Sequence, residues 1–105
     1  MPLNKIPLEI FEGALKYKLI KLDDTENPMF WWLGYHVIWI KFNEGQYESH
    51  RNVFDPKPGY SLTLDYDGTS FKWQTSEIKE VISVSDSEIE FRTTGSHYKL
   101  CMLNH

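Results

Sequence analysis

The sequence has little cysteine and no long apolar run, and both absences narrow the class of protein. Cys101 is the only cysteine, so no internal disulfide can form, which is typical of a reducing compartment. The longest apolar run, Met29 to Ile40, covers about twelve residues and is interrupted by Gly34 and His36, whereas a membrane-spanning helix needs about twenty. Residues 1–10 lack the apolar core of a secretion signal. We therefore expect a cytoplasmic protein with no membrane contact.

The chain also lacks an excess of positive charge and the motifs of common enzymes. Its net charge is −4, and the surplus of acidic groups is divided evenly between residues 1–55 and 56–105. Nucleic-acid-binding domains usually carry a basic patch or stripe, so a nucleic-acid partner is not favoured. No glycine-rich phosphate loop, G-x-S-x-G motif or H-E-x-x-H motif is present. The sequence therefore predicts a protein that is not an enzyme, with no catalytic residue, no cofactor and no metal site.

What the sequence does contain is a series of hairpin signals. Short turn dipeptides stand at Asp67-Gly68, Asp86-Ser87 and Thr94-Gly95. A two-residue turn at each place sets apolar residues opposite one another, and a slip of one residue would set them against polar side chains. The predicted pairs are Leu64–Phe71, Leu62–Trp73, Val84–Ile89, Ile82–Phe91, Phe91–Tyr98 and Ile89–Leu100. A fourth turn, at Glu44-Gly45, predicts the pairs Phe42–Tyr47, Lys41–Glu48 and Trp39–His50.

These turns predict an all-β domain, arranged as a small antiparallel β-barrel or sandwich of about seven or eight short strands. Strands are expected at about 14–22, 30–42, from the Glu44-Gly45 turn to about 54, and at about 60–66, 69–75, 79–85, 88–93 and 96–103. The first strand is expected to bulge near Leu19-Ile20. Residues 3–13 are compatible with either a short helix or an irregular apolar arm.

The run Asp55-Pro56-Lys57-Pro58-Gly59 is the strongest interruption of the pattern. We interpret 55–59 as a linker between an N-terminal half, 1–55, and a C-terminal five-stranded meander, 60–103. Neither half is large enough to bury a stable hydrophobic core alone. The whole chain, 1–105, is therefore expected to be one domain.

Several polar pairs invite a catalytic or metal-binding interpretation, and their spacing argues against it. His97 and Cys101 lie about 13–14 Å apart on one face of a predicted strand, too far for a hydrogen-bonded dyad. His36 and His50 fall on opposite faces of the hairpin at Glu44-Gly45, so they cannot share a metal ion. The other pairs, explained by turns or solvent exposure, are Asp65 with Asp67 and Glu88 with Glu90.

The stretch from Met29 to Phe42 carries the most functional content, because it is apolar on both faces of a predicted strand. One face belongs to the core, and the other needs a cover. The cover is either internal, from residues 3–15 or a second sheet, or external, from a protein partner or a second copy of the chain. Aromatic residues are enriched at binding hot spots, which favours a non-enzymatic protein that acts through protein–protein contacts. The residues predicted to contact the partner are Trp31, Leu33, Tyr35 and Trp39.

Two other functions stay open as alternatives. Binders of single-stranded nucleic acid combine cations with stacking aromatic side chains, and the first predicted strand offers such a face. Its residues are Lys16, Tyr17, Lys18 and Lys21. A nucleic-acid-binding small β-barrel is therefore the main alternative, and a carrier with an internal cavity for a small ligand is the third hypothesis.

The C-terminal half also carries a short pattern. Thr75-Ser76 is followed by Phe91-Arg92-Thr93 and then by Ser96-His97-Tyr98-Lys99-Leu100. This arrangement resembles small uncharacterised bacterial and phage β-domain proteins, in which a T-S step precedes F-x-T-x-x-S-x-Y-x-L. The resemblance covers residues 75–100 only. It implies a compact β domain, makes an inhibitor or immunity-type role a hypothesis, and transfers no catalytic residue to this chain.

Overall fold

The computed structural model describes residues 15–103, which form nine strands in two antiparallel sheets. The strands are β1 (Tyr17–Leu22), β2 (Pro28–Gly34), β3 (Val37–Asn43), β4 (Gln46–His50), β5 (Ser61–Leu64), β6 (Trp73–Gln74), β7 (Ile78–Val84), β8 (Glu88–Thr93) and β9 (His97–Met102). One sheet has the order β2-β1-β9-β8-β7 and the other β4-β3-β5-β6. Within 15–103 there is no helix and no closed barrel, so the all-β class is confirmed and the sandwich alternative fits. The helix considered for 3–13 lies outside the described residues.

The two sheets enclose one apolar core, because alternate side chains of each strand point inward. Trp39 of β3 and Phe91 of β8 meet edge to face with ring centres 5.9 Å apart, a favoured geometry for aromatic pairs. Since these two strands belong to different sheets, this contact joins the sheets into one packing unit. The core residues are Leu19, Val37, Trp39, Leu62, Leu64, Ile78, Ile89, Phe91, Tyr98, Leu100 and Met102.

The single strand predicted for 30–42 is wrong, since the structure divides this stretch into β2 and β3, which lie in different sheets. At the break, the backbone N–H groups of Tyr35 and His36 donate to Asp65 Oδ1 at 2.8 and 3.0 Å. At Gly34, an added Cβ would lie 2.6 Å from Leu64 Cδ1, so the close approach of β2 to β5 requires glycine. The stretch is apolar on both faces because it supplies strands to two sheets.

Three of the four predicted hairpins keep their register next to the turn. The confirmed pairs are Phe42–Tyr47, Lys41–Glu48, Trp39–His50, Phe91–Tyr98, Ile89–Leu100 and Val84–Ile89. Further from its turn, the β7–β8 pairing shifts between Val81 and Ser83, and Val81 takes the place predicted for Ile82 opposite Phe91. The shift leaves Ile82 exposed. A bulge of this kind is not visible in a pattern that assumes strict alternation.

The hairpin at Asp67-Gly68 is displaced by two residues, because Leu64 rather than Leu62 pairs with Trp73. The carboxylate of Asp67 explains the longer connection. Its Oδ1 accepts hydrogen bonds from the backbone N–H groups two and three residues further on, at 2.9 and 2.8 Å. A displacement by an even number of residues keeps side chains on their predicted faces, so Leu62 and Leu64 both remain in the core.

The predicted five-stranded C-terminal meander is wrong as well. β5 and β6 join the four-stranded sheet, whereas β7, β8 and β9 join the five-stranded sheet. Strands from both sides of the 55–59 linker therefore share each sheet. The start of β7 is tied back to the linker, because Gly59 N–H donates to the Ile78 carbonyl at 2.9 Å and Ile78 N–H donates to the Tyr60 carbonyl at 2.8 Å.

β1 lies inside the five-stranded sheet, between β2 and β9. The irregularity predicted near Leu19-Ile20 instead falls between Lys21 and Leu22, where the pairing with β2 shifts register. Leu19 and Leu22 are both buried although strict alternation would place them on opposite faces. The turn at 23–27 then leads directly into the edge strand β2.

Candidate functional site

The edge strand β2 carries an exposed run of three large apolar side chains. Met29, Phe30 and Trp31 are 48%, 56% and 57% exposed, and we call these three residues the β2 edge patch. No charged residue occurs in 28–34. Edge strands are normally protected from pairing by charges, proline, bulges or a covering segment. Pro28 stands at the start of the strand, and the patch that follows it has no charged residue of its own.

Neighbouring side chains fix the orientation of the β2 edge patch. The Lys18 ammonium in β1 lies 5.1 Å from the ring centre of Trp31, within the range of a cation–π contact. Trp32, the next residue in the strand, stacks on Trp73 with ring centres 4.2 Å apart. Phe30 lies 6.5 Å from Trp32 between ring centres. Trp32 therefore attaches β2 to the other sheet, while Trp31 presents its ring to solvent.

The four residues predicted to contact a partner do not form one surface. Trp31 is exposed, Leu33 and Tyr35 are half-buried, and Trp39 is 0% exposed. Trp39 lies between two neighbouring strands, and its indole N–H donates to the Asn52 carbonyl at 3.1 Å. It is a core residue, which corrects its assignment to the partner surface. The predicted partner contact is therefore restricted to Trp31 and its exposed neighbours in β2.

A second apolar surface lies on the four-stranded sheet, on the face opposite Trp39. It is an open groove of about 180 Å³ lined by Ile40, Phe42, Tyr47, Thr63, Tyr66, Phe71 and Gln74. Small-molecule sites usually enclose about 300–1,000 Å³, so this groove does not resemble the internal cavity of a carrier. Sequence reasoning missed it, because Phe71 reaches it only from the long connection that Asp67 stabilises.

The residues of the alternative nucleic-acid face are separated by the fold. Tyr17 packs against the core, and Lys18 lies over Trp31. Lys21 lines a cleft together with Asp23 and other acidic side chains. Lys16 is exposed just before β1, whereas Tyr17 is half-buried, so the four predicted residues do not lie together on one exposed face.

The histidines and the cysteine, whose spacing argued against functional pairs, have other neighbours in the structure. The thiol of Cys101 lies 3.9 Å from Glu88 Oε2, and His97 Nε2 lies 2.6 Å from Glu90 Oε2. Burial, followed by the charge of Glu88, raises the pKa of the Cys101 thiol, which disfavours the nucleophilic thiolate. His36 is exposed at the break between β2 and β3. His50 closes β4 and meets the Tyr60 ring with centres 5.5 Å apart.

The carboxylates that are paired in the sequence accept hydrogen bonds from backbone N–H groups or form ion pairs with neighbouring lysines. Asp65 accepts the two N–H bonds at the break between β2 and β3 and lies 3.5 Å from the Lys72 ammonium. Asp67 caps its own turn, and these hydrogen bonds lower its pKa to about 2. Glu88 lies 3.8 Å from the Lys99 ammonium. These carboxylates therefore have structural partners.

An open polar cleft of about 510 Å³ lies at one end of the five-stranded sheet. Its lining is formed by the turn between β1 and β2 and by the segment that joins β8 to β9, and it includes Glu26, Arg92 and His97. Sequence reasoning did not group these residues. The Phe91–Tyr98 register could have placed Glu90 diagonally opposite His97, but Glu26 arrives only because β1 lies beside β9.

No protein-family model matches the sequence, and comparisons with curated proteins and with solved structures likewise give no match. The resemblance of residues 75–100 to bacterial and phage β-domain proteins therefore stays a prediction. The described residues contain no helix long and apolar enough to cross a membrane.

Proposed function

We propose that this chain is a non-enzymatic binding protein that acts through protein–protein contacts at the β2 edge patch. The observation that carries the proposal is the exposure of Met29, Phe30 and Trp31 on a strand without charged residues. Apolar patches on soluble proteins mark interaction surfaces, and tryptophan is enriched among the residues that dominate binding energy.

The edge offers two kinds of contact at once. The free side of an edge strand presents unpaired backbone groups that can accept a strand from a partner. Phe30 and Trp31 add aromatic side chains, each of which buries about 150–250 Å² when covered. A partner with an extended apolar segment fits both features, because its backbone would extend the sheet while its side chains cover the rings.

An inhibitor or immunity-type protein is the specific form of this function that we infer. Such proteins act by occupying a surface of their target, so they need a rigid scaffold and an exposed apolar contact but no catalytic group. The stacking of Trp32 on Trp73 supports this form, because it holds the exposed patch on a well-packed strand.

The proposal is tested by affinity capture from the host cell extract with Trp31→Lys as the variant. A lysine at this position places a charge at the centre of the β2 edge patch, and we expect the captured partner to be lost. Phe54→Lys is the matched control, because Phe54 is an exposed aromatic residue in the loop before β5.

Retention of the same partner by Trp31→Lys, or its loss in both variants, would contradict the proposal. Sedimentation of the purified chain separates the two kinds of partner. A dimer that dissociates in Trp31→Lys assigns the edge to a second copy, and a monomer that captures a different protein assigns it to a foreign target.

A further inference from the structure

Three side chains that commonly bind metals meet on the outer face of the five-stranded sheet. Glu26 comes from the turn between β1 and β2, Glu90 from β8 and His97 from β9. Their ligand atoms, one carboxylate oxygen from each glutamate and one imidazole nitrogen, all lie within 4.8 Å of one another. The three residues converge from distant parts of the sequence because β1 inserts beside β9.

Burial distinguishes this group from a chance cluster of surface carboxylates. His97 is only 5% exposed, and its Nε2 lies 2.6 Å from the partly buried Glu90 Oε2. Two ligand groups are therefore held in a fixed, shielded position. The third, Glu26, is exposed and lines the open polar cleft, which gives solvent ions access to the other two.

We propose that Glu26, Glu90 and His97 form a binding site for a divalent transition-metal cation such as Zn²⁺. Zn²⁺ holds nitrogen and oxygen ligands at about 2.0–2.2 Å, so two ligands of one ion lie at most about 4 Å apart. Glu90 Oε2 and His97 Nε2 share a hydrogen bond at 2.6 Å, so zinc would displace the proton between them and separate the two atoms to about 3.4 Å, as tetrahedral coordination requires. Glu26 reaches the site with a movement of about 1 Å or less. Imidazole favours transition metals, whereas Mg²⁺ and Ca²⁺ prefer oxygen ligands alone.

The charges around the site identify the group that competes with the metal. The cleft contains the carboxylates of Asp23, Asp24 and Glu26 and the cationic side chains of Lys21 and Arg92. Arg92 lies 3.8 Å from Glu26 and 3.9 Å from Glu80. Both ion pairs are exposed, and exposed pairs contribute little to stability. We therefore expect Arg92 to pair with both Glu26 and Glu80 when no metal is bound. When a divalent cation binds Glu26, Arg92 should remain paired with Glu80 alone.

Metal binding would connect the turn before β2 to the interior strands β8 and β9. This turn leads into Pro28, the first residue of the edge strand. A ligand that binds only the folded state stabilises it, so the thermal midpoint should rise when Zn²⁺ binds. The inference does not depend on the proposed protein–protein function.

The direct test is calorimetric titration of the untagged, EDTA-treated full chain with ZnCl₂. We expect one equivalent to bind, and no comparable binding when MgCl₂ is the titrant. Glu26→Gln, at an exposed position, should weaken Zn²⁺ binding at least about tenfold while leaving the circular dichroism spectrum unchanged. Arg92→Ala should bind Zn²⁺ more tightly than the natural chain, because it removes the competing cation.

His97→Ala should abolish binding, and His36→Ala is its matched control, since His36 is an exposed histidine outside the site. Because His97 is buried, its variant is also checked for folding, and Glu26→Gln supplies the independent result if folding is lost. The proposal is overturned if the natural chain binds no Zn²⁺, or if Glu26→Gln binds it as tightly as the natural chain.

Discussion

Strands β2 and β3 follow one another in the chain and are both rich in large apolar residues, but they have opposite environments. Trp31 of β2 is 57% exposed, whereas Trp39 of β3, eight positions later, is 0% exposed. Among the described residues, 15–103, β3 has a neighbouring strand on each side, while β2 has a neighbouring strand on one side only. Position in the sheet, and not side-chain hydrophobicity, therefore decides which half of this apolar stretch forms the core and which half forms a surface.

Because of this difference, the tryptophans of the two strands have different roles. Trp39 packs against Phe91 across the sandwich, so it contributes to the stability of the fold. Trp31 contacts Lys18 but leaves most of its ring in solvent, so its apolar area is available to a partner. Substitutions in and around the two strands test this division.

Replacing the two tryptophans with alanine should give very different losses of stability. Trp39→Ala leaves a cavity in the core and should lower the free energy of unfolding by about 3–5 kcal/mol. Trp31→Ala is its matched counterpart and should lower it by less than about 1 kcal/mol, as expected for a surface site. Chemical denaturation measures both values. Similar losses in the two variants would show that both strands are packed alike.

Gly34→Ala should disturb the point at which β2 and β3 separate. The added Cβ would lie 2.6 Å from Leu64 Cδ1, and overpacking of this kind costs about 1–3 kcal/mol. Gly95→Ala is the control, because a Cβ there meets nothing within 4 Å. If Gly34→Ala unfolds at the same denaturant concentration as the natural chain, the close approach of β2 to β5 is incorrect.

Asp65→Ala should weaken the break between the two strands. The substitution removes the acceptor for the backbone N–H groups of Tyr35 and His36, and losing hydrogen bonds to a charged group costs about 1.5–3 kcal/mol. Because these groups are partly accessible to water, we expect about 1–2 kcal/mol. Asp86→Ala, at an exposed turn, should change the unfolding free energy much less. Equal effects at the two positions would contradict the role given to Asp65.

The smallest change in stability should come from acid titration of Asp67, which lies in the loop after β5. β5 is a neighbour of β3. The N–H bonds from Thr69 and Ser70 lower the pKa of Asp67 from 3.8 to about 2. Since the folded pKa is the lower one, its stabilising contribution is complete above about pH 4 and is lost as pH falls through about 2. The stability difference between the natural chain and Asp67→Asn should therefore shrink between pH 4 and 2. A constant difference over this range would contradict the assigned hydrogen bonds.

The hairpins could be predicted from the sequence because side-chain alternation and turn dipeptides act over a few residues. Phe91–Tyr98 and Phe42–Tyr47 are pairs of this kind. The separation of β2 from β3 could not be predicted in this way, because it depends on Asp65, about thirty residues away, and on the contact of Gly34 with Leu64. Local pattern cannot report such distant partners.

The candidate surfaces likewise depend partly on local pattern and partly on contacts between distant residues. Trp31 and Trp39 have the same parity in the sequence, so alternation assigned them to one face, and only the placement of their strands in different sheets separates them. Of the four residues predicted to contact a partner, the structure leaves only Trp31 exposed, and the partner contact itself stays a prediction. In the cleft, the proximity of Glu90 to His97 follows from a predictable hairpin, whereas Glu26 depends on the insertion of β1 between β2 and β9.

The most direct test of the account is the rate of solvent exchange of the tryptophan indole N–H groups, measured by NMR in the monomeric protein. The Trp39 indole is buried and donates to the Asn52 carbonyl, so its exchange should be the slower one by orders of magnitude, while the Trp31 indole exchanges rapidly. Trp→Phe variants assign the two signals. Equal protection of Trp31 and Trp39 would contradict the division of the apolar stretch into an exposed edge and a buried core strand.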